Sequence, residues 1–144
     1  MKVIQALPPN FEQIKAAIKI DDWDKWIKEK GTVFTYGDTI YNPSDAKFPV
    51  HLLVHEGTHE KQQGSNPKEW WDKYLVDLEF RFEQELEAYS AQYKFICECN
   101  GPSFPAKVKK AILNSITSDL CSDQYGLKKE YAKVESLIRN KAKL

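Results

Sequence analysis

The spacing of apolar side chains along this chain predicts helices over most of its length. Stripes that repeat every three or four residues indicate two short helices near the start, a longer one that ends at a glycine, and four more towards the end. These helices are expected at residues 10–20, in a short stretch ended by Gly31, at 49–63, from Asn66 to a break near Asp77, at 80–96 and, as a pair, between 105 and 144. The sequence therefore predicts a predominantly helical protein.

One stretch departs from the helical period and predicts strands. Residues 32–36 and 39–41 are rich in threonine, tyrosine and β-branched side chains and flank Gly37-Asp38. Such runs on either side of a two-residue turn are typical of a hairpin. Asn42-Pro43 then turns the chain towards the helix at 49–63. The expected fold class is α+β, predominantly helical, with a short hairpin or edge strand next to that helix.

Length and charge limit the number of domains and the kinds of partner that we expect. With 144 residues, a single domain over 1–144 is expected, and 21 basic residues balance 21 acidic ones. That balance gives no reason to expect nucleic acid or an acidic membrane as a partner. No apolar run is long enough for a transmembrane helix, and two prolines interrupt the apolar start before it could serve as a signal peptide. We therefore expect a cytoplasmic protein.

The three cysteines, Cys97, Cys99 and Cys121, are an odd number without a secretory signal. Free thiols are expected for such a set. Cys97 and Cys99 have the spacing of half a metal site, but no second cluster of cysteine and histidine completes it.

The helix at 49–63 contains a metal-binding motif. His55, Glu56 and His59 match the pattern HExxH. Residues four apart lie on the same face of a helix, so the two imidazoles can reach one ion, while the glutamate one step round can reach a water beside that ion. Two of the chain's three histidines lie in this motif, and we interpret it as a site for one Zn²⁺ ion with Glu56 as general base.

The third histidine, His51, offers a rival pairing with His55 at the same spacing. All three histidines cannot bind one ion, because His51 and His59 are about 12 Å apart along a helix axis. Leu52 follows His51, so the rival pair would lack the adjacent carboxylate. His55 and His59 are therefore the predicted ligands, and His51 is expected to pack or hydrogen-bond outside them.

A third protein ligand is expected on the helix that spans residues 80–96. Its apolar stripe consists of Phe82, Tyr89, Gln92, Tyr93 and Ile96. Glu85 falls on this stripe, and a carboxylate on a buried face is costly unless it is paired or metal-bound. Glu85 is the predicted ligand; Glu87, on the opposite side of the helix, is the alternative.

At this point the sequence resembles a family. A zinc helix with HExxH followed by a glutamate on a later helix is the plan of the gluzincin metallopeptidases. Residues 55–63, HEGTHEKQQ, resemble the HELTHxxQQ string of small bacterial and phage zincin-like proteins, and residues 85–89, ELEAY, resemble a segment whose first glutamate binds zinc. The resemblance covers about residues 33–96 and implies a zincin-like fold, with Tyr89 where some relatives carry an acidic or amide residue.

Several residues are predicted around the ligands. Gln62 or Gln63 could orient a ligand, as could His51 and, by the resemblance, Tyr89. The resemblance also implies that residues 39–42, including Tyr41, line the cleft and pair with an extended substrate; the alternative is an ordinary small sheet. Candidates for the donor that stabilises the developing oxyanion are Tyr36, Tyr41, Tyr89, Tyr125 and His51.

The function predicted from the sequence is that of a zinc peptidase, which hydrolyses an amide bond of a peptide or protein substrate. The sequence is also compatible with two other functional classes. One is a catalytically silent zinc-binding domain, structural or virion-associated, and the other is an interaction domain without metal. Zinc content separates the last class from the first two, and loss of hydrolysis on replacing Glu56 separates those two from each other.

Overall fold

The computed structural model describes residues 1–143 and contains seven helices and three short strands within them. The strands are β1 (Lys2–Ile4), β2 (Phe34–Tyr36) and β3 (Thr39–Tyr41). The helices are α1 (Phe11–Ala17), α2 (Trp23–Lys30), α3 (Val50–Gln63), α4 (Pro67–Val76), α5 (Leu78–Asn100), α6 (Ala106–Leu120) and α7 (Tyr131–Lys141). The predicted fold class, α+β and predominantly helical, is confirmed.

The ends of the helices follow local chemistry. The side chain of Asp22 accepts a hydrogen bond from the first turn of α2, that of Asn66 from α4 and that of Asp77 from α5. Gly31 ends α2 in the left-handed region, with φ of 65°, where a side chain would be strained. Asn10 precedes α1 as expected, but its side chain makes no capping bond. The predicted break at Asp77 is present.

The strands form one sheet in the order β1-β3-β2. β2 and β3 make the predicted antiparallel hairpin, and β1 pairs parallel to β3 with Lys2 opposite Thr39. β1 was not predicted, because its pairing partner lies 37 residues away and its three residues are all exposed, so they carry no alternating pattern. The consequence for the site is that β3 is the central strand and β2 is an edge.

Two groups of buried apolar side chains flank the middle of the molecule. The aromatic cluster joins α1, α2, β2 and α4 and consists of Phe11, Ile14, Ile18, Trp23, Ile27, Phe34, Trp70, Trp71 and Tyr74. The C-terminal cluster joins α5, α6 and α7 and is centred on Phe82, Tyr93, Leu113, Ile116, Leu120, Val134 and Ile138. Trp23, Trp70 and Trp71 are therefore core residues, and Trp26 is partly buried against the same cluster.

α3 lies between the sheet and α5 and buries a polar face. Its buried residues are His55, Glu56, His59 and Gln63. Two apolar residues of its first turns lie outside instead: Val50 is 64% exposed and Leu53 is 40% exposed. The helix is turned so that its polar side, not its apolar side, faces α5.

Arg81, at the start of α5, links this helix to two other segments of the chain. It is almost fully buried, and its guanidinium donates to the carbonyl oxygens of Tyr74, Leu75 and Tyr125. A buried arginine needs such partners, because an unpaired charge in the interior is strongly destabilising. The end of α4 and the loop after α6 are thereby held against the same helix that carries Glu85.

Among the described residues, no helix combines the length and apolar character needed to cross a membrane. Cys97, Cys99 and Cys121 are free thiols, as the sequence predicted.

Candidate metal centre

α3 and α5 bring His55, His59 and Glu85 together, and we call these three residues the triad. One potential ligand atom from each lies within 4.8 Å of the others. The Nε2 atoms of the two histidines are 3.2 Å apart, and the carboxylate of Glu85 lies 3.3 Å from the first and 3.4 Å from the second. All three side chains are buried. The sequence predicted that two histidines on one helix would meet a carboxylate from a distant helix, and the three side chains do lie together.

Each imidazole is held from behind by an amide. Nδ1 of His55 lies 3.1 Å from Oε1 of Gln92, and Nδ1 of His59 lies 2.8 Å from Oε1 of Gln62. An amide oxygen only accepts hydrogen bonds, so each ring carries its proton on Nδ1 towards the amide. In the neutral rings, Nε2 is therefore the unprotonated atom that faces the centre, which is the tautomer a metal ligand needs.

The two amides are themselves fixed. Nε2 of Gln62 donates to the carbonyl oxygen of Gln84 at 3.0 Å. Nε2 of Gln92 lies 2.8 Å from Nδ1 of His51, which accepts from it. His51 thus belongs to the outer part of the site, as predicted, and acts on His55 only through Gln92. Burial lowers the pKa of His51, which favours the neutral form that can accept this bond.

Glu85 is held by Tyr74 on one oxygen only. The Tyr74 hydroxyl donates to Oε1 at 2.6 Å, whereas Oε2 is buried and has no hydrogen-bond partner among the described residues. A buried carboxylate oxygen without a donor is costly, and a cation between the three side chains would remove that cost. The donor set of two imidazoles and a carboxylate suits zinc with one position left open. The triad therefore fits a metal ion.

Without an ion, the triad forms a charged pair of its own. Burial lowers the pKa of His59, but the charge and hydrogen bond of Glu85 outweigh burial and raise that pKa to about 9. Burial raises the pKa of Glu85, but the positive charge of His59, whose Nε2 lies 3.4 Å from the carboxylate, holds that pKa well below its usual range. A proton on His59 thus takes the place that a metal ion would occupy.

Glu56 is buried next to the triad but is not one of the clustered ligands. Its Oε2 accepts a hydrogen bond of 2.6 Å from the hydroxyl of Thr35 on β2. This contact orients the carboxylate and leaves Oε1 without a protein donor among the described hydrogen bonds. A carboxylate so placed, close to a metal site but outside its ligand set, is available for proton transfer.

A cleft of about 290 Å³ adjoins these residues and is lined by the triad, Glu56 and the wall segment 32–35. Tyr89 and Tyr125 line it as well, and their hydroxyl oxygens are 2.7 Å apart. The ring of Tyr89 also packs edge-on against His55, with 4.3 Å between ring centroids. Tyr89 therefore touches a ligand through its ring rather than through a hydrogen bond.

The predicted role of residues 39–42 is wrong. β3 pairs with β1 on one side and β2 on the other, so it has no free edge for a substrate strand. Tyr41 is half-buried against the aromatic cluster and is absent from the lining of the cleft. The wall is formed by residues 32–35 instead. Even there, the carbonyl of Thr35 already accepts bonds from the side chains of Gln63 and Trp71.

Glu87, the alternative ligand, is also excluded, because it lies on the exposed side of α5. Sequence reasoning placed Gln92 on the buried stripe but gave it no role, and it gave none to Tyr74. An amide on an otherwise apolar stripe was the available signal for Gln92. No local signal identified Tyr74, whose neighbours on α4 are ordinary aromatic core residues.

Comparisons with models of known protein families, with curated proteins and with solved structures gave no match for this chain.

Proposed function

We propose that this chain is a zinc-dependent peptidase that hydrolyses an amide bond of a peptide or protein. The observation that carries the proposal is the buried triad, in which one carboxylate oxygen has no hydrogen-bond partner among residues 1–143, beside a separate buried glutamate. A zinc site made only for stability has no use for an extra buried carboxylate or for an adjoining cleft, and structural zinc sites are usually closed by a fourth protein ligand. Here three protein ligands are available within the described residues.

His55, His59 and Glu85 would hold the ion, and Gln92, Gln62 and Tyr74 would keep their donor atoms turned towards it. Bound zinc supplies a Lewis acid that polarises the substrate carbonyl and makes a nearby water more acidic. The remaining steps belong to side chains of this protein.

Glu56 is the proposed general base. Its carboxylate takes a proton from water as the water oxygen bonds to the carbonyl carbon of the substrate. It then delivers that proton to the nitrogen of the leaving amine as the carbon–nitrogen bond breaks. The hydrogen bond from Thr35 keeps the carboxylate in place through both transfers.

The Tyr89–Tyr125 pair is the proposed donor to the oxygen that gains charge. Two hydroxyls share one hydrogen bond, so one of their two hydrogens remains without an acceptor among the described residues. Both tyrosines line the cleft, and a buried donor without an acceptor costs about 1 to 3 kcal/mol. Replacing both tyrosines by phenylalanine should lower kcat about 100- to 1000-fold while zinc content stays the same. Unchanged kcat in that double variant would remove the pair from the mechanism.

Glu56→Gln tests the central step. The amide can still accept from Thr35, so the fold and zinc binding should persist, while hydrolysis of a mixed peptide library, followed by mass spectrometry, should fall about 100- to 10,000-fold. Glu60→Gln is the matched control, since Glu60 lies one turn further along α3 and does not line the cleft.

Three outcomes are informative. Purified protein without stoichiometric zinc at neutral pH would reject the metal site. Zinc binding without any cleaved peptide would favour the catalytically silent zinc domain. Cleavage by Glu56→Gln at the rate of the unmodified protein would reject the general-base role.

A further inference from the structure

Gln63, the last residue of α3, is buried but has no part in the proposed mechanism. It is only 4% exposed and does not line the cleft, so a substrate in the cleft does not reach it. It is not one of the clustered metal ligands either. A buried amide is costly unless its donor and its acceptor both have partners. The partners of Gln63 therefore indicate what this side chain does.

Both ends of the Gln63 amide bond to the backbone of the hairpin. Oε1 accepts a hydrogen bond from the N–H of Gly37 at 2.7 Å, and Nε2 donates to the carbonyl oxygen of Thr35 at 2.8 Å. In a parallel sheet, one residue of a neighbouring strand bonds in the same way to a carbonyl and to the N–H two residues further on. The amide therefore occupies the outer edge of β2 as a neighbouring strand would.

The residue of β2 that Gln63 holds also contacts the proposed general base. The hydroxyl of Thr35 donates to Oε2 of Glu56 at 2.6 Å. Glu56 and Gln63 are seven residues apart on α3, which places them two turns apart on one face of the helix. β2 is thus attached to α3 at two points, and Thr35 takes part in both.

The side chain of Thr35 links these two attachments rigidly. A β-branched side chain is stiff at χ1, so the hydroxyl of Thr35 moves with the backbone of that residue. Its carbonyl oxygen also accepts from Nε1 of Trp71 at 3.0 Å, which occupies the second lone pair. The backbone of Thr35 is therefore fixed from α3 and from α4, and the donor that orients Glu56 is fixed with it.

We propose that Gln63 is a positioning residue for hydrolysis, because its amide holds β2 at the distance from α3 at which the Thr35 hydroxyl donates to Glu56. Without the amide, the strand can shift and the bond between Thr35 and Glu56 lengthens. A misplacement of about 1 Å in a catalytic group is enough to cost about 100-fold in rate. This inference rests on the proposed peptidase function and deepens it, since it adds a residue that contacts neither the ion nor the substrate.

Gln63→Met tests this role in the zinc-containing protein, because methionine fills the space of the side chain without an amide. The bond from Trp71 to Thr35 remains, so the hairpin should stay folded. For a peptide that the unmodified protein cleaves, kcat should fall about 10- to 100-fold. KM and zinc affinity should stay within about twofold, because Gln63 neither lines the cleft nor belongs to the triad.

Thr39→Val is the matched control for this substitution. Thr39 is a buried residue of the same hairpin, and its hydroxyl donates to Asp38 at 3.0 Å. The change therefore also removes a side-chain hydrogen bond from the hairpin, but one without a connection to Glu56. It should leave kcat unchanged.

A double variant separates positioning from a general loss of structure. If Gln63 acts through Thr35, Gln63→Met should lower kcat by less than about twofold in a Thr35→Val background, since the bond that it positions is already absent. Losses in kcat that multiply in the double variant would overturn the proposal. An unchanged kcat in Gln63→Met alone would overturn it as well.

Nuclear magnetic resonance of the zinc-free protein tests the same contact without turnover. The Thr35 hydroxyl proton should exchange with water about tenfold faster in Gln63→Met than in the unmodified protein or in Thr39→Val, the factor for one ordinary hydrogen bond. Equal exchange in all three proteins would overturn the positioning role. Absence of cleavage by the unmodified protein would reject the peptidase proposal and the catalytic role of Gln63 with it, whereas the exchange rates would still decide whether Gln63 holds Thr35 against Glu56.

Discussion

Two sides of helix α5 pack against opposite kinds of surface. Towards α6 and α7 it meets an apolar cluster in which Ile138 and Val134 are almost completely buried. Towards α3 it meets a helix whose buried residues are all polar, namely His55, Glu56, His59 and Gln63. Apolar burial is favourable wherever shapes fit, but polar burial is favourable only when each group has a partner. The C-terminal cluster therefore stabilises the fold on its own, whereas the triad depends on protons, hydrogen bonds or a metal ion.

The largest effect is expected from a substitution in the C-terminal cluster. Ile138→Ala removes a fully buried side chain and should lower the free energy of unfolding by about 2 to 5 kcal/mol. Zinc affinity should stay within about twofold, because the triad lies on the other side of α5 and distant sites act independently. Urea denaturation and a zinc competition titration measure the two quantities.

Leu137→Ala is the matched control for this change. Leu137 is 43% exposed and should cost at most about 0.5 kcal/mol. A large loss of zinc affinity in Ile138→Ala would show that the two regions are coupled and that the comparison is wrong.

The next largest effect is expected from a change of pH, which alters the charges of His59 and Glu85 in the triad. In the zinc-free protein, His59 has its pKa raised from 6.5 to about 9, so its contribution to stability is complete below pH 6.5 and is lost as pH rises through 9. Glu85 has a lowered pKa, so its contribution is present above its ordinary value of 4.5 and is lost as pH falls. The pair therefore contributes most between pH 4.5 and 6.5, and the Tm measured with a chelator should decline by several degrees from pH 6.5 to 9.

Glu85→Gln provides the comparison for the pH experiment. Without the carboxylate the pKa of His59 is no longer raised, so the decline in Tm between pH 6.5 and 9 should shrink. Zinc affinity of the unmodified protein should show the opposite trend and increase over this range, since the ion displaces the proton from His59. A decline in Tm of equal size in both proteins would contradict the assigned ion pair.

A smaller effect is expected from the amide behind His55. Gln92→Ala leaves the ligands in place but removes the acceptor that fixes the ring and its tautomer. Zinc affinity should fall about 10- to 100-fold, as measured by competition with a fluorescent chelator. Glu87→Ala, on the exposed side of the same helix, should bind zinc like the unmodified protein. Loss of affinity in the control instead would revive Glu87 as a ligand.

The smallest effect is expected one step further out. His51→Ala removes the acceptor that orients the Gln92 amide, so zinc affinity should fall about twofold to tenfold, the range for one ordinary hydrogen bond. In the Gln92→Ala background the same change should have no further effect, because His51 acts only through that amide. An additive loss in the double variant would mean that His51 reaches the site by another route.

The sequence alone predicted the features that depend on local spacing. Histidines four apart share a helix face, capping residues start and end helices, and a glutamate on an apolar stripe must be compensated. These rules were enough to identify His55, His59 and Glu85 as neighbours and Glu87 as the weaker choice. They also gave the hairpin and the limits of most helices.

Tertiary structure decided what depends on contacts between distant segments. The pairing of β1 makes β3 a central strand without a free edge. The wall of the cleft is therefore formed by residues 32–35 rather than by the predicted residues 39–42. The packing of the helices also turned the polar side of α3 inward and placed the Tyr89–Tyr125 pair in the cleft. A local pattern can say that a side chain needs a partner, but only the packing of the whole chain selects which distant group supplies it.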